Sequence, residues 1–246
     1  MVLFLTSTLG ENYMDADGIR HACMISRENG LLDNLLRFIP ENARGVIMSS
    51  DPDGHTVNDG LRDIMAESFE MSQIRLKELA VCDGRNADKA EELIRESALV
   101  VLAGGHVPTE NKFYKRIGLS SLIQDYEGSV IGISAGTMNC AGVVYAPPEL
   151  DGEALAPDYE RYLEGLGITD INVFPHLQYL RSVRLDGLNM VEEIALPDSR
   201  IRPFYGLDDG SYILSQNGLN ILYGEAYYFS GGTERKICEK ERHIRI

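Results

Sequence analysis

The chain of 246 residues has little positive charge, and this scarcity excludes two classes of partner. Lysine and arginine number 23 against 38 aspartates and glutamates, which gives a formal net charge of −15 at pH 7. Nucleic acids and anionic membrane surfaces repel a protein of this charge. The acidic residues are dispersed rather than gathered in blocks, which is typical of a solvated surface. We therefore expect no nucleic-acid partner and no membrane partner.

Cysteine is also scarce, and its spacing argues against a metal site. The four cysteines, Cys23, Cys82, Cys140 and Cys238, lie far apart and form no CxxC pair. Zinc motifs need such pairs, and a chain of this size can bury a core without disulfide bonds. We expect neither a metal site nor a disulfide framework.

Long apolar runs are absent as well. None approaches the length that spans a membrane. The apolar start, Met1–Leu5, becomes polar at Thr6 and lacks the basic residues of a signal peptide, so it is typical of a first buried strand. These features predict a cytoplasmic protein.

Short apolar runs alternate with amphipathic segments through the first 142 residues. The predicted strands are Val2–Leu5, Gly45–Met48, Leu79–Val81, Leu99–Ala103 and Val130–Ile133. The predicted helices are Leu31–Phe38, Asn58–Met71, Ala87–Ser97 and Lys112–Gln124. Apolar strands separated by helices favour a parallel sheet covered on both faces, with right-handed crossovers.

The remainder of the chain does not continue this alternation of strands and helices. We predict a short helix near Tyr159–Leu163, a strand at Ile171–Phe174 and a helix at Val183–Ala195. From Phe204 onward, short runs separated by turn signals predict an antiparallel C-terminal β extension. Because no linker or repeat interrupts the chain, we expect a single α/β domain over residues 1–246.

One stretch carries a pattern associated with catalysis. Residues 128–137 read Gly-Ser-Val-Ile-Gly-Ile-Ser-Ala-Gly-Thr, so an apolar run leads into Gly-x-Ser134-x-Gly. Strand, tight turn and helix is the context in which this pattern marks a nucleophile elbow, whose glycines leave room for a strained turn. Ser134 is therefore the candidate nucleophile. The alternative is an ordinary turn of small residues.

Two other predicted strands are followed by residues that are suited to a role in catalysis or in substrate binding. Gly104 and Gly105 follow a buried strand, and such glycines leave backbone N–H groups accessible to an oxyanion. His106 follows them and is a candidate substrate contact. His176 follows Pro175 at the end of another strand, where an imidazole can serve as general base.

An acid that orients the histidine is also required, and the sequence offers several. Asp208 and Asp209 lie in a turn between predicted strands. Glu149 and Asp151 lie in the polar loop after the nucleophile. The residues alone leave these alternatives open.

The order of these motifs is informative. Ala-Gly-Gly105, Gly-x-Ser134-Ala-Gly, Pro-His176 and Gly-Leu-Asp-Asp209-Gly follow one another along the chain. In this order and spacing the chain resembles the serine peptidase family that contains dipeptidase E and cyanophycinase. The resemblance implies the fold of class I glutamine amidotransferase-like proteins, a flavodoxin-like three-layer α/β/α sandwich. It also implies a Ser-His-acid hydrolase that needs neither metal nor cofactor.

The resemblance also implies roles for individual residues. Ser134 resembles the family nucleophile and His176 its base, while the N–H groups of Ala135 and Gly105 resemble the oxyanion hole. Glu149 stands where dipeptidase E has its acid, and Asp209 stands where cyanophycinase-like members have theirs. We prefer Glu149 and keep Asp209 as the alternative.

Dipeptidase E removes an N-terminal aspartate, whose carboxylate requires a cation. Arg181 and Arg184 follow His176 and are the candidate cations, because a guanidinium matches a carboxylate in shape. We therefore expect a small peptide or amide as substrate, with an Asp-Xaa dipeptide as one option, and a homodimer as the oligomeric state.

Two alternative functions remain open at this stage. A glutamine amidotransferase-like acyl transferase shares the fold but needs a cysteine at the elbow, and the nearest, Cys140, lies within the helix pattern. A protein that binds a small ligand without turnover is the second alternative, because fold does not determine activity. In that case no acid should lie within hydrogen-bonding reach of His176.

Overall fold

The computed structural model describes residues 1–246. The strands are β1 Val2–Thr6, β2 Asn12–Met14, β3 Arg20–Ala22, β4 Ala43–Met48, β5 Leu76–Cys82, β6 Leu99–Leu102, β7 Ser129–Ile133, β8 Val143–Tyr145, β9 Tyr162–Glu164, β10 Val173–Phe174, β11 Arg184–Leu185, β12 Leu188–Asn189, β13 Phe204–Leu207, β14 Tyr212–Gln216, β15 Leu219–Tyr223, β16 Ala226–Ser230, β17 Thr233–Cys238 and β18 His243–Arg245. The α-helices are α1 Leu31–Phe38, α2 His55–Met71, α3 Ala90–Glu96, α4 Val107–Arg116, α5 Leu119–Gln124, α6 Ala135–Asn139, α7 Leu177–Leu180 and α8 Leu196–Asp198. Short 3₁₀ turns cover Glu28–Gly30 and Ala87–Lys89, and a π-helical segment covers Met190–Ala195.

An eight-stranded sheet forms the centre of the fold, in the order β18-β15-β14-β1-β7-β6-β4-β5. The five strands from β1 to β5 in this order are mutually parallel. The other three continue the sheet in antiparallel fashion at one edge. The predicted mainly parallel sheet with an antiparallel C-terminal extension is therefore confirmed.

Alternating side chains of the central strands enter two apolar layers. Leu3 and Leu5 of β1 join one buried cluster, while Phe4 joins the other. The second cluster includes residues of α1 and α2, and the first includes residues of α3, α4 and α5. Helices thus cover both faces of the sheet, as the uninterrupted apolar runs predict.

A second sheet of four strands, in the order β10-β13-β16-β17, lies beside the main one. Strands β10 and β13 pair in parallel, with Phe174 opposite Gly206. The segments that follow these two residues therefore leave the sheet at the same edge. This pairing determines where His176 and Asp209 lie.

Two predicted helices are wrong. The segment near Tyr159–Leu163 contains β9, which pairs with β8. The start of Val183–Ala195 is the hairpin β11–β12, and only Met190–Ala195 is helical. The chain reverses at Asp186 and Gly187, whose φ angles of 53° and 87° are left-handed and incompatible with a continuing helix.

The helix predicted at Lys112–Gln124 is two helices. Gly118, at φ 65°, separates α4 from α5. No helix of the structure combines the length and the apolar character that crossing a membrane requires.

Candidate active site

Ser134 occupies a sharp turn between β7 and α6. Its φ and ψ angles, 51° and −113°, are strained for a residue with a side chain. A Cβ at Gly132 would lie 2.7 Å from Cα of Thr137, and one at Gly136 would overlap the carbonyl oxygen of Leu102. Only glycine therefore fits at either position, which gives a physical reason for the Gly-x-Ser-x-Gly pattern.

The end of β1 holds this turn in place. The carbonyl oxygen of Thr6 accepts the N–H of Ser134 at 3.0 Å. The same oxygen accepts the hydroxyl of Thr137 at 2.8 Å. The strained turn is thus fixed by hydrogen bonds to a buried neighbouring strand.

A chain of hydrogen bonds joins Ser134, His176 and Asp209. Nε2 of His176 lies 3.0 Å from Oγ of Ser134, and its Nδ1 lies 2.7 Å from Oδ1 of Asp209. His176 has a left-handed backbone, with φ 57°, at the start of α7. Gln178 accepts the N–H of Asp209 at 3.0 Å and so fixes the turn that carries the carboxylate. With Asp209 ionised, Nδ1 carries the proton and Nε2 is free to accept one from the serine hydroxyl.

Glu149, the acid preferred from the sequence, lies in the same pocket but is not bonded to the histidine. Its Oε1 accepts the backbone N–H of Val107 at 3.1 Å, and it makes no hydrogen bond to His176. Although the residue is exposed overall, its carboxyl end turns into the pocket beside Ser134. Burial of that end raises the pKa of Glu149 to about 7. Of the two carboxylates left open, the structure thus brings Asp209, and not Glu149, to the histidine.

The two remaining acidic candidates, Asp151 and Asp208, are not bonded to the histidine either. Asp151 is exposed in the loop after β8. Asp208 points inward, and its Oδ1 is buried without a hydrogen-bond partner. Neither makes a hydrogen bond to His176.

The backbone N–H groups of Gly105 and Ala135 have no acceptor within the protein. Both residues line the same pocket as Ser134. A Cβ at Gly104 would lie 3.3 Å from Cβ of Ser134, so the glycine loop passes close to the serine. Two unpaired donors are therefore available near the Ser134 hydroxyl.

The three predicted substrate-binding side chains do not line this pocket. His106 is hydrogen-bonded to Thr109 at 2.8 Å and to Glu153 at 3.0 Å. Arg181 forms an ion pair with Glu234. Arg184 is exposed, and it donates to the carbonyl oxygen of Gly187 at 2.9 Å. All three have partners elsewhere, and no arginine or lysine lines the pocket.

The pocket itself has a volume of about 280 Å³ and a predominantly apolar wall. This wall is not recognisable from the sequence, because Val183, Leu185 and Met190 belong to a segment whose pattern predicts a helix. The apolar side chains of the wall include Val107, Met138, Phe174, Val183, Leu185 and Met190.

Cys140, the alternative nucleophile, is fully buried in the helical turn after Ser134. Its Sγ contacts the carbonyl oxygen of Gly136 at 3.1 Å, and burial raises the pKa of its thiol. A buried neutral thiol is a poor nucleophile, since the thiolate is the reactive form.

Comparisons with known proteins bear on the family and on the fold. The family model described as Peptidase family S51 matches residues 55–222. A crystal structure of a peptidase from an acI-B1 Actinobacterium is 15% identical, with a TM-score of 0.64 and coverage of 100% of this chain and 96% of that one. The structure of a putative Peptidase E protein from Listeria monocytogenes is also 15% identical, with a TM-score of 0.59 and coverage of 96% and 98%. At this identity the two structures show the fold alone. A search of curated proteins finds no match.

Proposed function

The chain belongs to peptidase family S51, and from this premise we propose that Ser134, His176 and Asp209 act together as a catalytic triad for amide hydrolysis. Family membership makes the protein a serine-type peptidase. The observation that carries the assignment of residues is the hydrogen-bonded chain from Asp209 through His176 to Ser134, with distances of 2.7 Å and 3.0 Å.

The reaction begins at the serine hydroxyl. Nε2 of His176 takes the hydroxyl proton while Oγ of Ser134 attacks the amide carbon. The ionised carboxylate of Asp209 stabilises the imidazolium that forms. His176 then gives the proton to the leaving amine, the C–N bond breaks, and an acyl-enzyme remains. Water, activated by the same imidazole, hydrolyses the ester and regenerates the serine.

The negative charge of the tetrahedral intermediate needs donors. The unpaired N–H groups of Gly105 and Ala135 are suited to this role, and they resemble the oxyanion hole of the family. Loss of one such donor costs about 10²–10³ in rate.

The structure bears on the alternatives raised by the sequence. A binding protein without turnover has no need of an acid behind the histidine, and here Asp209 lies 2.7 Å from it. A cysteine-dependent acyl transferase needs a reactive thiol at the elbow, and Cys140 is buried outside the pocket. Both observations favour the serine hydrolase.

Covalent labelling tests the proposal. A fluorophosphonate probe reacts with an activated serine, so we expect labelling of the wild type and none of Ser134→Ala or His176→Ala. In Asp209→Asn the amide favours the wrong imidazole tautomer, and we expect labelling to slow by about 10²–10⁴. Equal labelling of Ser134→Ala and the wild type would contradict the mechanism, and equal rates for Asp209→Asn would remove Asp209 from it.

A further inference from the structure

The wall of the pocket beside Ser134 matches an apolar side chain. Met138 comes from α6, Phe174 from β10, and Val183, Leu185 and Met190 from the hairpin segment. The volume of the pocket, about 280 Å³, is just below the roughly 300–1,000 Å³ typical of ligand sites. It therefore suits one or two residues rather than a long peptide.

No cation in the pocket could receive a substrate carboxylate. Arg181 is paired with Glu234, and Arg184 lies outside on the surface. His176, the one basic residue of the lining, is engaged by Ser134 and Asp209. An aspartate side chain bound here would be buried unpaired against apolar groups, which is costly.

The pocket does offer one acidic group. Oε1 of Glu149 accepts the N–H of Val107, whereas Oε2 has no hydrogen-bond partner in the protein. A carboxylate with a free oxygen on an apolar wall is complementary to an ammonium group. Burial raises the pKa of Glu149 because it disfavours the negative charge. A cation bound beside the carboxylate offsets this cost and favours the charged form.

We propose that this pocket binds the free N-terminal residue of a short peptide, with an apolar side chain against Met138, Phe174 and the hairpin and the α-ammonium group on Glu149. The inference rests on the proposed serine mechanism and adds the substrate class. It distinguishes this chain from an aspartyl dipeptidase.

Protection of Ser134 from the fluorophosphonate tests the inference without requiring turnover. The competitors are three aldehydes: leucinal, N-acetyl-leucinal and the α-aldehyde of aspartic acid. Each can add reversibly to the serine, whose proton passes to the aldehyde oxygen. We expect leucinal to protect about 10- to 100-fold better than N-acetyl-leucinal, because acetylation removes the charge that Glu149 recognises. The aspartyl aldehyde should protect least.

Two variants separate the two halves of the inference. In Glu149→Gln the advantage of leucinal over N-acetyl-leucinal should shrink to about twofold or less. Val183→Arg places a cation in the wall and should reverse the preference between leucinal and the aspartyl aldehyde. Ile201→Arg adds the same charge at an exposed position outside the pocket and should not change the preference.

The possible failures are distinct. Absence of labelling in the wild type overturns the proposed mechanism together with the inference. Normal labelling with better protection by the aspartyl aldehyde, or with equal protection by leucinal and its N-acetyl form, overturns the substrate class alone.

Discussion

Glu149 is a single carboxyl group held where its charge is disfavoured. Burial is the main cause of its pKa near 7, and the negative charge of Glu153 adds to it. The N–H of Val107 and the positive form of His176 oppose the increase without cancelling it. The group therefore titrates near neutral pH, well above an ordinary glutamate.

This shift has a direct consequence for stability. The folded protein retains a proton that the unfolded chain has already released, so Glu149 lowers the free energy of unfolding as the pH rises from about 4.5 to about 7. Glu149→Gln removes this cost. We expect the melting temperature of this variant, relative to that of the wild type, to increase between about pH 5 and about pH 8. Glu127→Gln, at an exposed glutamate, is the matched control. A constant difference between Glu149→Gln and the wild type at both pH values would contradict the shift.

The sequence was informative about some of these residues and not about others. Ser134 and His176 follow apolar strands and are recognisable from local pattern. The choice between Glu149 and Asp209 is not local, because it depends on the pairing of β10 with β13. Strands this short carry no signal of their partner, so the acid could not be chosen from the sequence.

Among the elements, the hairpin β11–β12 connects one wall of the pocket to the loop after β8. Its turn residue Asp186 accepts the N–H of Gly152 at 2.7 Å and that of Ala154 at 2.9 Å. These bonds join the hairpin to the loop that carries Glu149. The carboxylate of Asp186 thus links the apolar wall of the pocket to the loop that carries its acidic group.

Removing that carboxylate should loosen the loop. In Asp186→Ala we expect the amides of Gly152 and Ala154 to exchange their hydrogens about fivefold faster or more, because each loses a hydrogen bond worth about 1 kcal/mol. Asp186→Asn keeps an acceptor oxygen and tolerates the left-handed backbone, so a smaller increase is expected. Hydrogen exchange followed by mass spectrometry measures both. Unchanged exchange in Asp186→Ala would show that the loop is held by other contacts.

The misprediction of this element has a physical explanation. Val183, Leu185, Leu188 and Met190 give a dense apolar pattern that a helix can also produce. The Asp-Gly pair at 186 and 187 is a turn signal, and it outweighs that pattern. By contrast α1 has the predicted bounds, because its apolar spacing is uninterrupted and an isoleucine in extended conformation ends it.

On the scale of the whole molecule, the site spans two sheets. Ser134 follows a strand of the main sheet, whereas His176 and Asp209 follow strands of the second sheet. Ser7, at the end of β1, connects the two. Its hydroxyl donates to the carbonyl oxygen of Leu207 at 3.2 Å and accepts the N–H of His176 at 3.3 Å.

Ser7→Ala should therefore affect the site more than the fold. The change leaves the carbonyl oxygen of Leu207 and the N–H of His176 without their hydrogen bonds to the hydroxyl. It should lower the free energy of unfolding by about 1–3 kcal/mol. Misplacement of His176 relative to Ser134 should slow fluorophosphonate labelling by about 10- to 100-fold. Ser215→Ala, the same change at a serine without a side-chain hydrogen bond, should alter neither quantity. A stability loss with normal labelling in Ser7→Ala would show that the sheets are aligned by other contacts.

Because the three residues are divided between two sheets, the geometry of the site depends on how the two sheets are aligned. A small slip of one sheet against the other lengthens the Oγ–Nε2 separation of 3.0 Å while every strand and helix stays intact. On mild heating, labelling should consequently cease at a lower temperature than that at which the secondary structure melts. The peptidase would then pass through a form that is still folded but does not react with the probe, and its reactivity would return on cooling.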